Sequence, residues 1–216
     1  MKKKGELKMQ ELLDRYPILK ECKCHIEKAI DIIETTYFSG GKVMLCGNGG
    51  SCADCDHIVG ELMKGFRLKR SLADFEKAVL ESMGKEGNEL AQQLQKAVPA
   101  ISLAAQPGIN SAFCNDVNSK MAYAQLAFGY GKEEDCLICL STSGNSENIV
   151  YAAFAAKAKG IKTIALTGAK SSRLSEICDV TVKVPEAETY KVQELHLPIC
   201  HYICAKVEED LFGGEE

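Results

Sequence analysis

Apolar residues recur at helical spacing through the first part of the chain, at Leu7, Leu12, Leu13, Ile18, Leu19, Ile26, Ile30, Ile32 and Ile33. Pro17 interrupts that pattern, so residues 6–37 read as two helices. Beyond them the pattern changes to short apolar runs at 43–46, 100–103, 135–140, 162–166 and 180–184. Helical stretches at 52–64, 147–159 and 189–212 alternate with these runs, and Gly160 and Gly213-Gly214 supply stops for the last two. Strands that are apolar throughout, separated by helices, predict an α/β fold with a mostly parallel sheet covered on both faces. Ligands of such sheets gather at the carboxyl ends of the strands. Two polar turns fall there: Gly47-Asn48-Gly49-Gly50-Ser51 after the first run and Ser141-Thr142-Ser143-Gly144-Asn145-Ser146 after the third. Residues 71–96 break the alternation, being charged and amphipathic, and read as an inserted long helix or a pair divided at Gly84 and Gly87. Pro198 lies inside the last helix, where it removes a backbone hydrogen bond to Glu194 and predicts a kink.

With 216 residues the chain is read as one domain, 1–216, with N-terminal helices over 1–40 and the helical insertion over 71–96. Hydrophobic residues at 46% and charged residues at 26% exclude disordered, collagen-like and coiled-coil classes. A net charge of -4 offers no field for a nucleic-acid backbone or an anionic membrane surface. Met1-Lys2-Lys3-Lys4 is not followed by the apolar core of a signal peptide, and no run is long enough to span a bilayer, which points to the cytoplasm. Eleven cysteines, an odd number, then read as reduced thiols. The two CxxC spacings, Cys52 with Cys55 and Cys136 with Cys139, raise a structural zinc site. A strand through 135–140 sends residues three apart to opposite faces, which disfavours it.

The serine-rich turn places hydroxyls, backbone N–H groups and a helix dipole at one spot, an arrangement suited to a phosphate ester and also found as a plain helix cap. The first turn lacks the lysine of a nucleoside-triphosphate loop and the GxGxxG spacing of a dinucleotide site. Three of the four histidines, His57, His196 and His201, lie near candidate site elements, whereas His25 stands beside Cys22 and Cys24 without such company. His57 and Glu61 are four apart on one helix and share a face. Gln193 and His201 are eight apart, about 80° round the helix axis. Such groups can hold a divalent metal or act as acid and base in a proton transfer.

The first turn with Ala53-Asp54 and His57, the pair Asn115-Asp116, the serine-rich turn and the Gln193-Glu194-Leu195-His196 tail leading to His201 together resemble the sugar isomerase (SIS) domain family, along nearly the whole chain. The tail narrows the resemblance to the heptose-phosphate subgroup. The resemblance implies a three-layer αβα sandwich on a five-stranded parallel sheet, assembled as a homotetramer with sites at subunit contacts. It also implies an aldose–ketose isomerase that converts sedoheptulose 7-phosphate to D-glycero-D-manno-heptose 7-phosphate through an enediol, for nucleotide-activated heptose synthesis. By position, Glu61 and His201 would be the acid–base pair. Asn48, Gly49, Gly50, Ser51, Asn115, Asp116 and Gln193 would contact the sugar, and Ser141, Thr142, Ser143 and Ser146 the phosphate. His57, Glu61, Gln193 and His201 would hold one zinc ion per subunit, and Cys52 and Cys55 could compete for it. Two alternatives stand beside this: another sugar phosphate on the same machinery, or a non-catalytic SIS protein that binds a replication initiator.

Overall fold

The computed structural model describes residues 8–214. Met1-Lys2-Lys3-Lys4 and Leu7 lie outside them. Pro17, which has no N–H to continue a helix, opens a 3-10 turn over Pro17–Cys22 that separates α1 (Met9–Arg15) from α2 (Lys23–Phe38). β1 (Val43–Gly47) leads into α3 (Gly50–Met63), and two short helices, α4 (Asp74–Glu81) and α5 (Lys85–Gln93), precede β2 (Ala100–Ser102). Then come α6 (Pro107–Phe113), a π-helical turn over Cys114–Asn118, α7 (Ala122–Tyr130), β3 (Cys136–Leu140), α8 (Glu147–Ala158) and β4 (Lys162–Thr167). The chain ends through α9 (Arg173–Ile177), β5 (Val180–Lys183) and α10 (Thr189–Phe212).

All five strands pair in parallel in the order β2-β1-β3-β4-β5. Every residue of β1 and β3 is buried, as unbroken apolar runs require when both sheet faces are covered. On one face Val43, Leu45, Cys136 and Ile138 pack with Ile26, Ile33, Ile58, Leu62, Ile199 and Ile203 of α2, α3 and α10. On the other, Met44, Cys46, Leu137 and Cys139 pack with Leu126, Ile149, Val150 and Ala153 of α7 and α8. These are the three expected layers. Cys136 and Cys139 enter different cores, as the alternation of a strand demands. The chain leaves β1 towards β2 and then returns to place β3 on the opposite side. That reversal opens a crevice between the carboxyl ends of β1 and β3, where both polar turns begin.

Three features add to what the sequence shows or amend it. Residues 71–96 form a helical pair closed by a Ser71–Gln95 bridge, but only Gly84, at φ +91°, divides it. Gly87 lies within α5, where a β-carbon would collide with the Leu80 carbonyl, so its role is close approach. Second, α10 continues through Pro198 over its full 24 residues. Third, α6, the π turn and α7 escape the periodicity analysis, because α7 is apolar almost all round and carries no stripe.

His196 does not join the site. It is fully buried on the inner side of α10, where its ring meets the Thr167 backbone. Burial lowers its pKa from 6.5 to about 4, so folding selects the neutral ring. The unfolded chain therefore binds more protons between those values, and this contribution is complete above pH 6.5 and lost as pH falls towards 4. Denaturant titrations are expected to show the wild type losing about 2 kcal/mol more than a His196→Leu variant between pH 7 and pH 5. Equal losses would mean that the ring is protonated or hydrated in the folded protein. Glu34, raised to about 7 by burial and by a hydrogen bond with Asp210, works in the opposite sense and is common to both proteins.

Candidate active site

The first turn begins where β1 ends, and the Tyr123 hydroxyl from α7 donates to the Gly47 carbonyl at 3.0 Å. Gly49, at φ +55°, turns the chain into α3. Gly50 then lies against the Gln193 amide of α10 so closely that no β-carbon would fit. Gln193 donates to Asp54 Oδ2 at 3.2 Å. Burial raises the Asp54 pKa, opposed by that bond and by the nearby His57 and His201. The sequence assigns Asp54 no role, and its contact with Gln193 of α10 places it at the site.

One and two turns further along α3 stand His57 and Glu61. His57 Nε2 is 2.8 Å from Glu61 Oε1, and His201 Nε2 of α10 is 3.5 Å from the same oxygen and 3.3 Å from His57 Nε2. The Glu61 side chain is 8% exposed, against 47% for His57 and 39% for His201, so a buried carboxylate faces two open imidazoles. Glu61 Oε2 is buried on the inner side, and the Cys204 thiol of α10 is hydrogen-bonded to the same carboxylate. The Phe66 ring, centred 6.0 Å from the His201 ring, closes one side. Beyond it a cleft of about 520 Å³ is lined by Arg15, Tyr16, Arg67, Pro198 and His201.

The donor set suits zinc: a tetrahedral ion with bonds of about 2.0–2.1 Å holds its ligand atoms about 3.4 Å apart. Two of the three separations match, and His57–Glu61 is drawn in to hydrogen-bond distance. Cys52 and Cys55 are not in this cluster: Cys55 is fully buried among core residues, and burial pushes both thiols up.

The second turn starts at the end of β3. Ser141 is buried, and its hydroxyl donates to Ser146 Oγ at 3.2 Å. Ser143 Oγ accepts from the Asn145 amide at 3.1 Å, and Thr142 is half-buried. The first amides of α8 have no intrahelical acceptor and point into this turn. Asn148, a residue the sequence reading passed over, joins the two turns by exchanging amide hydrogen bonds with Asn48 at 2.8 and 2.9 Å. Ser51 is buried in the first turn of α3. Asn115 and Asp116 sit exposed on the π turn, bonded to one another at 2.8 Å and to neither polar turn.

Gly144 has φ +65°, and a β-carbon there would strike the Ser172 side chain. Gly144→Ala is therefore expected to raise KM for a sugar phosphate about 10-fold or more, through both strain and displacement of the turn. Initial-rate kinetics check this, and an unchanged KM would remove the turn from phosphate recognition.

Comparison with known proteins shows the family. A family model described as SIS domain matches residues 8–98 and 77–168. A phosphoheptose isomerase of Clostridium acetobutylicum is 38% identical over 188 residues, covering 87% of this chain and 83% of that protein. This chain belongs to the phosphoheptose isomerase family. A second phosphoheptose isomerase, from Rhodospirillum rubrum, is 32% identical over 202 residues, 94% of each chain. The solved phosphoheptose isomerase of Francisella tularensis shares the fold, with a TM-score of 0.70 at 24% identity over 93% of this chain and 98% of that one. The overlap of the two family-model matches, 77–98, falls on the α4–α5 pair, the segment that broke the strand–helix alternation.

Proposed function

We propose that the chain isomerises sedoheptulose 7-phosphate to D-glycero-D-manno-heptose 7-phosphate. The observation that carries this reading is the Glu61 carboxylate, buried against the open His57 and His201 imidazoles. The phosphate would lie on Ser141, Thr142, Ser143, Ser146 and the start of α8, with the sugar reaching past Asn48, Gly49, Gly50 and Ser51 towards Gln193. Asn115 and Asp116 would meet the sugar from the π turn. The Glu61 carboxylate takes a proton from C1 of the open-chain ketose, and His201 protonates the C2 oxygen, giving the enediol. Glu61 then returns the proton to C2 as His201 accepts one from the C1 hydroxyl, which completes the aldose.

His57, Glu61, Gln193 and His201 would hold zinc, which when bound would act as a Lewis acid on the substrate oxygens. The homotetramer belongs to the same reading: Phe75, Val79, Met83, Leu90 and Leu94 leave an apolar flank on α4 and α5 of the kind an interface covers. So does a cytoplasmic location. No described helix is long and apolar enough to cross a membrane.

The deciding experiment is turnover of sedoheptulose 7-phosphate by chelator-treated protein, with and without added zinc. Conversion to the aldoheptose phosphate, lost on chelation and restored by zinc, is expected. Inert protein under both conditions sinks the heptose assignment, and turnover of a shorter sugar phosphate would then favour the same machinery on another substrate.

A further inference from the structure

Outside the candidate site, one ion pair among the described residues is completely buried. The side chains of Arg70 and Glu208 are both 0% exposed, and Arg70 Nε donates to Glu208 Oε1 at 2.8 Å. Glu208 also accepts three backbone amides, from Phe66 at 2.7 Å, Arg67 at 2.6 Å and Leu68 at 3.1 Å. The two remaining arms of the guanidinium donate to the last carbonyls of α3, Nη1 to Leu62 at 2.6 Å and Nη2 to Glu61 at 2.9 Å. Phe212 of α10 packs against the guanidinium. Every polar atom is satisfied, but burying two charges is an inefficient way to gain stability, and apolar residues of similar volume commonly do as well or better.

What the pair does accomplish is geometric. Arg70 holds the backbone of Glu61 itself, and Glu208 stands seven residues after His201, two turns along the same face of α10. The bond between them fixes the end of α3 against α10, and so fixes how far the Glu61 carboxylate lies from the His201 ring. Through the Phe66 amide, Glu208 also sets the aromatic ring that flanks His201. We propose that Arg70 and Glu208 are positioning residues that set the Glu61–His201 separation. The inference rests on the proposed roles of Glu61 and His201 for its kinetic consequence, though not for its geometric one.

The test replaces both charges together, Arg70→Met with Glu208→Leu, so that neither is left buried alone. The expected variant is folded, with kcat lowered about 10- to 100-fold and KM within about two-fold of wild type, because the serine-rich turn is untouched. Its zinc affinity, measured by competition with a chelating dye, is expected to fall about 10-fold. A crystal structure should show the Glu61–His201 separation changed. A folded variant with wild-type kcat, zinc affinity and separation overturns the proposal. If the double variant does not fold, Arg70→Lys keeps the charge opposite Glu208 but cannot span both carbonyls, and the same measurements decide on it. An Ile33→Val variant in the core controls for general destabilisation. Wild type inert towards sedoheptulose 7-phosphate would remove the proposed function, and the separation and zinc affinity would still decide the positioning role.

Discussion

Glu61→Gln is expected to leave the protein folded and to lower kcat about 1,000-fold, within the range that a positioned general base supplies. The substitution keeps the shape of the side chain and an oxygen that can face His57, so the 2.8 Å contact can persist. What it removes is the basicity of the carboxylate that faces His57 and His201. Two measurements check this together: turnover with zinc in excess, and exchange of the C1 proton of the ketose for deuterium in heavy water. Both should fall, since they share the abstraction step. If exchange survives in the variant, another group takes the proton, and Asp54, held 3.2 Å from the Gln193 amide and raised by burial, is the next residue to examine. KM should change little, because the phosphate turn lies on β3 and α8 and does not touch Glu61.

The layers and most of the site could be read from residue order because each rests on local chemistry. A short, unbroken apolar run such as 136–140 that alternates with helical stretches reads as a strand covered on both faces, and a glycine- or serine-rich turn directly after one is where a parallel sheet exposes its carboxyl ends. The spacing of His57 and Glu61 fixes a shared face before any tertiary contact is known. What local chemistry cannot show is which long-range partner a polar residue finds. Asn148 looks like an ordinary first-turn residue until Asn48 is placed opposite it, 100 positions away. Arg70 reads as one more cation in Arg67-Leu68-Lys69-Arg70, and Glu208 as one more acid in Glu208-Glu209-Asp210, because their burial depends on α3 and α10 packing together. His196 misled in the opposite direction. It sits between Gln193 and His201 in sequence, yet the turn of the helix aims it into the core.

The largest loss of stability is expected from breaking that buried pair on one side. Glu208→Ala strips Arg70 Nε and three backbone amides of their acceptor in a region closed to water. Removing one partner of such a pair costs about 3–5 kcal/mol, against about 5–15 kcal/mol for a typical domain. For a chain of this length that corresponds to a fall in Tm of about 6–20 °C. Calorimetry or denaturant titration measures it, and the same assay on the Arg70→Met, Glu208→Leu protein separates two causes. If the pair were held for its attraction, the double variant would be as unstable as the single one. If the loss comes in part from an uncompensated buried cation, the double variant recovers that part, because the charge and its partner leave together, while the three amides of 66–68 still lack their acceptor in both proteins. Recovery of stability without recovery of kcat is the combination that only a positioning role produces. A single variant that loses less than about 1 kcal/mol would instead mean that water or a neighbouring carbonyl takes up the freed donors, and that the 66–68 loop does not depend on Glu208.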